Sequence, residues 1–332
     1  MRDSLKNKCD LFADNYTKIY ESFKWNYTAS IRLGALLYTM EDRTADTVEI
    51  RLCKDLIKEN TGVFSQFRDI TNFMTAVMLS LQPEPEGLLK NALEIYHSMK
   101  KEGFHSSSYL VLAALTIAKQ ADPAEFDRII AAAKSFYDAM KEKHPIITSS
   151  DDYGFASLLA MSGKEVGRTI SDMEYSYSIL KETFAHSNSV QALSQVLAFS
   201  DEDTATKCTR VVELYEAMIK RNSKIGSGIE LSFLGIGALL NENADELAQE
   251  ISEVKEYLKV KKGFGYWSIS AKERVMFAIA LVCEDYLIDT KKNTMELTLA
   301  NNVANIVLAQ QMAMMVVASS GAAAAASASA AH

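Results

Sequence analysis

A six-residue block, Ile95-Tyr96-His97-Ser98-Met99-Lys100, recurs along this chain about every forty residues. The later copies are Phe136-Tyr137-Asp138-Ala139-Met140-Lys141, Ser176-Tyr177-Ser178-Ile179-Leu180-Lys181 and Leu214-Tyr215-Glu216-Ala217-Met218. In each copy a tyrosine stands three residues before an apolar residue that we call the anchor: Met99, Met140, Leu180 or Met218. A fixed period of this size is typical of stacked helical hairpins, because each hairpin needs a neighbour to bury its apolar face.

The pattern between the blocks predicts an all-α protein. Each repeat pairs a short apolar helix with a longer amphipathic one, as in 109–118 followed by 124–141 and 153–161 followed by 166–184. The next repeats are predicted at 187–220 and 226–262, and 273–286 is predicted to close the array. The tyrosine and its anchor share a helix face, so we interpret them as core packing between hairpins.

Residues 1–290 are therefore predicted to form one array of roughly seven hairpins. The leading architecture is an α-solenoid of the TPR or HEAT kind, and the alternative is a closed α/α toroid. Residues 291–318 are predicted to form an uncharged helix that caps the array, and 319–332 an Ala/Ser low-complexity tail.

The C-terminal segment also raises the question of a membrane. Residues 297–317 are long enough to span a bilayer, and 297–331 contain no charged side chain. Asn301, Asn302, Asn305, Gln310 and Gln311 would be costly in hydrocarbon, so a membrane association is disfavoured. A membrane-associated adaptor held by 297–317 is kept as a third hypothesis.

The amino-acid composition argues against one class of binding partner and indicates the cellular compartment. The net charge of −8 over 332 residues argues against nucleic acid, which requires a basic face. Cys9, Cys53, Cys208 and Cys283 form no Cys-x-x-Cys pair, which indicates reduced core thiols rather than a metal or disulfide framework. The N-terminus has no apolar signal segment, so a cytoplasmic protein is expected.

Three histidines suggest where a site would lie. His105, His144 and His186 fall a few residues beyond successive anchors, in loops that stacking would bring onto one edge of the array. Neighbouring helices lie about 8–10 Å apart, so these histidines are too widely spaced to share a zinc ion. No metal site is predicted; structural roles at the helix ends are the ordinary interpretation of these histidines, and a partner or small-ligand surface on this edge is the alternative.

Two further features belong to the same edge. Asp151 and Asp152 precede an apolar helix, where paired acids ordinarily cap the helix start; acid–base catalysis is the sharper alternative. Phe264, Tyr266 and Trp267 lie among glycines beyond the fifth repeat. They are interpreted either as a recognition patch or as aromatics that pack into the last groove of the array.

Motifs that carry a known catalytic mechanism are missing from the sequence: it has no His-Glu-x-x-His, Gly-x-Ser-x-Gly or EF-hand pattern. No catalytic residue and no cofactor is predicted. An enzyme therefore stays the second hypothesis, in which the loops of a closed toroid would form a pocket that collects His105, His144, Asp151, Asp152 and His186.

The stretch Ile147-Thr148-Ser149-Ser150-Asp151-Asp152-Tyr153, together with Ala309-Gln310-Gln311-Met312-Ala313-Met314 and the Ala/Ser tail, carries a family resemblance. Over nearly its whole length the sequence resembles the bacterial domain-of-unknown-function family numbered four thousand and three. The resemblance implies a bacterial, cytosolic setting and no activity. The leading functional hypothesis is a non-enzymatic scaffold or adaptor that binds a peptide or protein partner.

Overall fold

The computed structural model describes residues 1–290 except 70 and 229, so the predicted cap at 291–318 and tail at 319–332 lie outside the described residues. The described part contains fourteen α-helices and no strand, which confirms the all-α prediction. In order they are α1 Asp3–Phe23, α2 Thr28–Met40, α3 Thr47–Asn60, α4 Asn72–Ser80, α5 Pro85–Lys101, α6 Ser108–Gln120, α7 Phe126–Lys143, α8 Tyr153–Met161, α9 Val166–Leu180, α10 Ser187–Leu197, α11 Thr204–Lys220, α12 Leu231–Leu239, α13 Ala244–Lys259 and α14 Ala271–Thr290.

Short polar residues fix where several helices begin. The side chains of Asp46, Ser107 and Asn243 each accept hydrogen bonds from backbone N–H groups in the first turn of the following helix. Those N–H groups have no partner within the helix, so a side-chain oxygen there stabilises the start. These caps define the starts of α3, α6 and α13.

The chain divides into two compact units. Unit 1 contains Met1–Asp14, Asp138–Thr148 and the described residues from Ser162 onward, and unit 2 contains Asn15–Tyr137 and Ser149–Met161. In unit 1 the long helices α9, α11 and α13 pack side by side, and the short helix α12 packs between the short helix α10 and α14. In unit 2, α3 packs on α5, α2 on α4, and α6 on α8. Each unit therefore has a layer of short apolar helices covered by longer amphipathic ones.

The chain's first residues complete the packing of the last helices within unit 1. Arg2 pairs with Glu250 of α13 and Asp285 of α14 at 2.9 and 3.1 Å. The ring of Phe12 lies 4.7 Å from Phe264 and 5.3 Å from Phe277, centre to centre. The first turns of α1 thus belong to the same core as α13 and α14.

The anchors are core residues. Leu258 is the anchor of the repeat at 226–262. Met99, Leu180, Met218 and Leu258 have no exposed surface, and Met140 is almost as deeply buried. Each lies near the end of a long helix. Burial on this scale explains why the block is repeated, without assigning it a ligand.

A second repeated position, which we call the latch, lies in the loop after each long helix. The latch residues are Phe67, Phe104, His144, Phe184, Ile225 and Phe264. Four of them contact the tyrosine of the next block, with ring centres 4.6–5.9 Å apart: Phe67 with Tyr96, Phe104 with Tyr137, His144 with Tyr177, and Phe184 with Tyr215. The tyrosine of each block therefore receives the loop of the preceding hairpin.

Glycine permits the turn into the latch at two positions. Gly103 and Gly263 have φ values of 95° and 86°, in the left-handed region that residues with a Cβ avoid. Each precedes a latch phenylalanine, and the reversal directs Phe104 and Phe264 back into the core.

Candidate functional site

The loops that follow the long helices of unit 1 lie at one end of its helical stack. Successive long helices run in the same direction, because one short antiparallel helix separates each pair. Since α9, α11 and α13 pack side by side, the loops after them are neighbours. His144, beyond α7, contacts Glu174 and Tyr177 of α9 and adds one more loop to the row. We call residues 144–148, 181–186, 221–228, 230 and 260–270 the loop edge of unit 1.

The loop edge carries the most exposed apolar side chains in the described part of unit 1. Trp267 is 95% exposed, Ile146 93%, Val260 81% and Tyr266 74%. The other large apolar side chains that are exposed in this unit are Met1, Tyr175 and Ile219, at 40–54%. Concentration of apolar surface at one place marks an interaction site more often than scattered exposure does.

Charge also distinguishes this edge from the opposite end of the same unit. The loop edge holds five Lys or Arg side chains and two Glu, namely Lys181, Arg221, Lys224, Lys261, Lys262, Glu182 and Glu230. The loops at the opposite end, 162–165, 198–203 and 240–243, hold one lysine and five carboxylates. The two ends of unit 1 therefore differ in both polarity and charge.

Contacts with buried side chains fix the position of the loop that bears Tyr266 and Trp267. Phe264 is completely buried, and its ring contacts those of Phe12 and Phe277. The buried Arg274 guanidinium donates to the backbone oxygens of Phe264 and Ile269, at 2.7 and 3.3 Å. Tyr266 and Trp267 meet edge to face outside this support, with ring centres 5.2 Å apart. Phe264 is therefore a structural residue, and only the two exposed aromatics can meet a partner.

The three histidines occupy different positions in their loops. His144 is a latch residue, half-buried against Tyr177, with Nε2 2.9 Å from Glu174 Oε1 but outside hydrogen-bonding geometry. His186 is exposed on the loop edge and precedes α10 without capping it through its side chain. His105 is exposed in unit 2, one residue beyond the latch Phe104.

In unit 2, Asp151 and Asp152 are used at the start of a helix. Asp152 is buried, and its carboxylate accepts the backbone N–H of Ser149 at 2.9 Å in a capping box. Asp151 accepts the hydroxyl of Ser149. Burial, with a further contribution from these two carboxylates, raises the pKa of Tyr109 to about 12. The capping role leaves Asp152 without an accessible face for acid–base chemistry.

The chain matches one known family along most of its length. Residues 15–312 match the family described as Protein of unknown function (DUF4003). The chain belongs to this family. YeaA of Bacillus subtilis strain 168, described as uncharacterized, is 22% identical over 206 residues, which cover 61% of this chain and 62% of that protein. The chain thus spans less than two thirds of that relative. No solved structure matches it.

The described part of this DUF4003 chain contains neither a set of metal ligands nor a helix suited to span a membrane. Among residues 1–290, apart from 70 and 229, no set of three His, Cys, Asp or Glu side chains is placed to hold a metal ion. Over the same residues, no helix combines the length and apolar character needed to cross a bilayer.

Sequence reasoning missed the exposed residues Ile146 and Val260 of the DUF4003 loop edge. Both are aliphatic residues close to a helix end, and the helical period alone cannot distinguish a buried from an exposed side chain there. The signal that could have found Ile146 is its distance from the latch: it stands two residues beyond His144, as Tyr266 does beyond Phe264.

Replacing His144 by phenylalanine is expected to stabilise the protein. The three other latch residues that contact a block tyrosine are all phenylalanine, and a phenyl ring would remove a buried Nε2 that lacks a hydrogen bond. We expect His144→Phe to raise the free energy of unfolding by about 0.5–2 kcal/mol, the usual gain from such repairs. Urea denaturation checks this, with His144→Ala expected to destabilise; a less stable His144→Phe would contradict the latch assignment.

Proposed function

We propose that this protein is a non-enzymatic helical-repeat scaffold, and that the loop edge of unit 1 binds an extended segment of a protein partner. The single observation that carries the proposal is the position of Trp267, Ile146, Val260 and Tyr266, the most exposed apolar side chains of the unit. Tryptophan and tyrosine dominate the binding energy of protein interfaces, because they bury large areas while keeping a polar group.

The length of the edge supports an extended partner rather than a small molecule. Three helix-to-helix intervals separate the loop of Ile146 from the loop of Trp267. At 8–10 Å for each interval, the two side chains lie roughly 25–30 Å apart. A peptide of about eight extended residues spans that distance, at about 3.3 Å for each residue.

The charges of the edge favour a partner segment that combines acidic and apolar residues. Lys224 and Lys262 are exposed beside the apolar side chains, whereas the opposite end of unit 1 would repel the same segment. Complementary charge raises the rate of encounter and selects the orientation of binding.

We assign the scaffold to the cytoplasm, in keeping with four buried free thiols, which are usual where thiols stay reduced.

Partner recovery from cells of the source organism tests the proposal. A tagged chain with Ile146→Ser, Tyr266→Ser and Trp267→Ser is compared with the unaltered chain by cross-linking and quantitative mass spectrometry. Losing one well-packed interface aromatic typically costs about 2 kcal/mol or more, which is roughly thirtyfold in affinity. We therefore expect the protein recovered with the unaltered chain to be at least tenfold depleted, by the same reasoning.

The matched control carries Tyr175→Ser, which changes an exposed aromatic side chain on α9 outside the loop edge. This variant should recover the partner as well as the unaltered chain does. Equal recovery by the loop-edge variant and the control would refute the proposed surface.

A further inference from the structure

A pocket of about 390 Å³ in unit 2 is lined mainly by cationic side chains, although the chain as a whole is acidic. It lies between the end of α1 and the face of α3, and its lining residues are Ser22, Phe23, Trp25, Asn26, Arg51, Lys54, Asp55 and Lys58. Its volume falls within the range of about 300–1,000 Å³ usual for small-molecule sites. Three of the lining residues are cations and one is an anion, in a protein whose net charge is −8.

The positive charges of the pocket are only partly neutralised by carboxylates. Asp55, its one carboxylate, pairs with Lys58 at 2.8 Å. Among the residues that the structure describes, neither Arg51 nor Lys54 has a carboxylate partner or donates a hydrogen bond, and both lie over the ring of Phe23. Burial and the nearby Lys58 lower the pKa of the half-buried Lys54. An anion in the pocket would offset the cost of gathering these charges.

Lys54 is a departure from the repeat. It stands three residues before the buried Ile57, where the other blocks have Tyr96, Tyr137, Tyr177 and Tyr215. One further block has a lysine at this position, Lys255, and there the reason is structural: its Nζ donates to the backbone oxygen of Asn222 at 2.9 Å. Lys54 has no such partner in the described chain. A residue that breaks a local rule without a hydrogen bond to hold its charge is a candidate for function.

The aromatic side of the pocket is Trp25, which is 91% exposed. Lys24 Nζ lies 5.6 Å from the centre of its ring, which adds a fourth cation nearby. An exposed indole beside a cationic pocket suits a planar ring that carries an anionic group, because stacking of a base on an aromatic side chain contributes about 1–3 kcal/mol.

We propose that this pocket binds a nucleotide, with the phosphate held by Arg51, Lys54 and Lys58 and the base stacked on Trp25. Arg51, Lys54 and Lys58 recur at helical spacing on one face of α3, so their charged ends converge on one region. Arginine and lysine are the usual phosphate ligands. The site uses residues of unit 2 and is independent of the loop edge of unit 1.

Tryptophan fluorescence gives a direct test, because the chain has two tryptophans. In a Trp267→Phe background, Trp25 is the one emitting indole, and AMP is titrated against it. We expect saturable quenching at micromolar to low millimolar AMP, weakened about tenfold or more by Arg51→Gln or Lys54→Gln, as for other charge-assisted phosphate contacts. Lys54→Tyr restores the residue of the other repeats, so it should keep the melting temperature and lose binding.

The controls separate the two parts of the ligand. Adenosine lacks the phosphate and inorganic phosphate lacks the base, so each should bind at least about tenfold more weakly than AMP. Lys90→Gln changes an exposed lysine elsewhere in unit 2 and should leave AMP binding unchanged. Three results would each overturn the proposal: no saturable quenching at millimolar AMP, equal binding of AMP and inorganic phosphate, or equal weakening by Lys90→Gln and Lys54→Gln.

Discussion

Phe264→Ala is expected to lower the free energy of unfolding by about 3–5 kcal/mol, the usual cost of truncating a buried phenylalanine. The ring has no exposed surface and contacts Phe12 and Phe277. Its removal leaves a cavity at the place where the first turns of α1 meet α14. Because the backbone oxygen of Phe264 also accepts from Arg274, relaxation into that cavity is restricted.

Trp267 is the matched control for Phe264, three residues away in the same loop. Its side chain is 95% exposed, so Trp267→Ala should change the free energy of unfolding by no more than about 0.5 kcal/mol. Urea denaturation of the two variants measures both effects. A strongly destabilised Trp267→Ala, or a neutral Phe264→Ala, would contradict the division of this loop into a structural residue and a binding residue.

Met218→Ala is expected to cost about 2–5 kcal/mol, because it empties an anchor position that has no exposed surface. The chain itself supplies the control. Leucine stands at two equivalent anchors, Leu180 and Leu258, and both are completely buried. Met218→Leu conserves the volume and should cost less than about 1.5 kcal/mol. Urea midpoints of the two variants check the pair of predictions. If Leu destabilised the protein as much as Ala does, the anchors would not be equivalent packing sites.

Much of the helical pattern could be predicted from the repeat, since period and caps are local signals. The predicted breaks at 121–123 and 241–243 coincide with the observed interruptions between helices. Predictions failed where tertiary contacts override local pattern. The helix predicted at 166–184 ends at Leu180, because Phe184 leaves the helical path and packs on Tyr215. In the repeat predicted at 226–262 the first helix begins at Leu231, after two glycines.

The candidate site could be predicted only in part. Periodicity located the loops after the long helices, which include Tyr266, Trp267 and His186. It could not separate Phe264 from its neighbours, because burial of that ring depends on Phe12, more than two hundred residues away in the chain. Lys54 was also missed. In the sequence, a lysine in place of the repeated tyrosine resembles a degenerate copy of the block. The three-dimensional structure is needed to see that, among the described residues, this lysine has no hydrogen-bond partner.

Site-specific photo-cross-linking tests the binding surface most directly. In cells, p-benzoylphenylalanine replaces Ile146, His186 or Trp267 on the loop edge, or Asp201 or Glu242 at the acidic end of the same unit. All five positions are exposed. We predict that one partner cross-links at the three loop-edge positions and at neither acidic position. Cross-linking of that partner at Asp201 or Glu242, or its absence from all three loop-edge positions, would contradict the proposed scaffold surface.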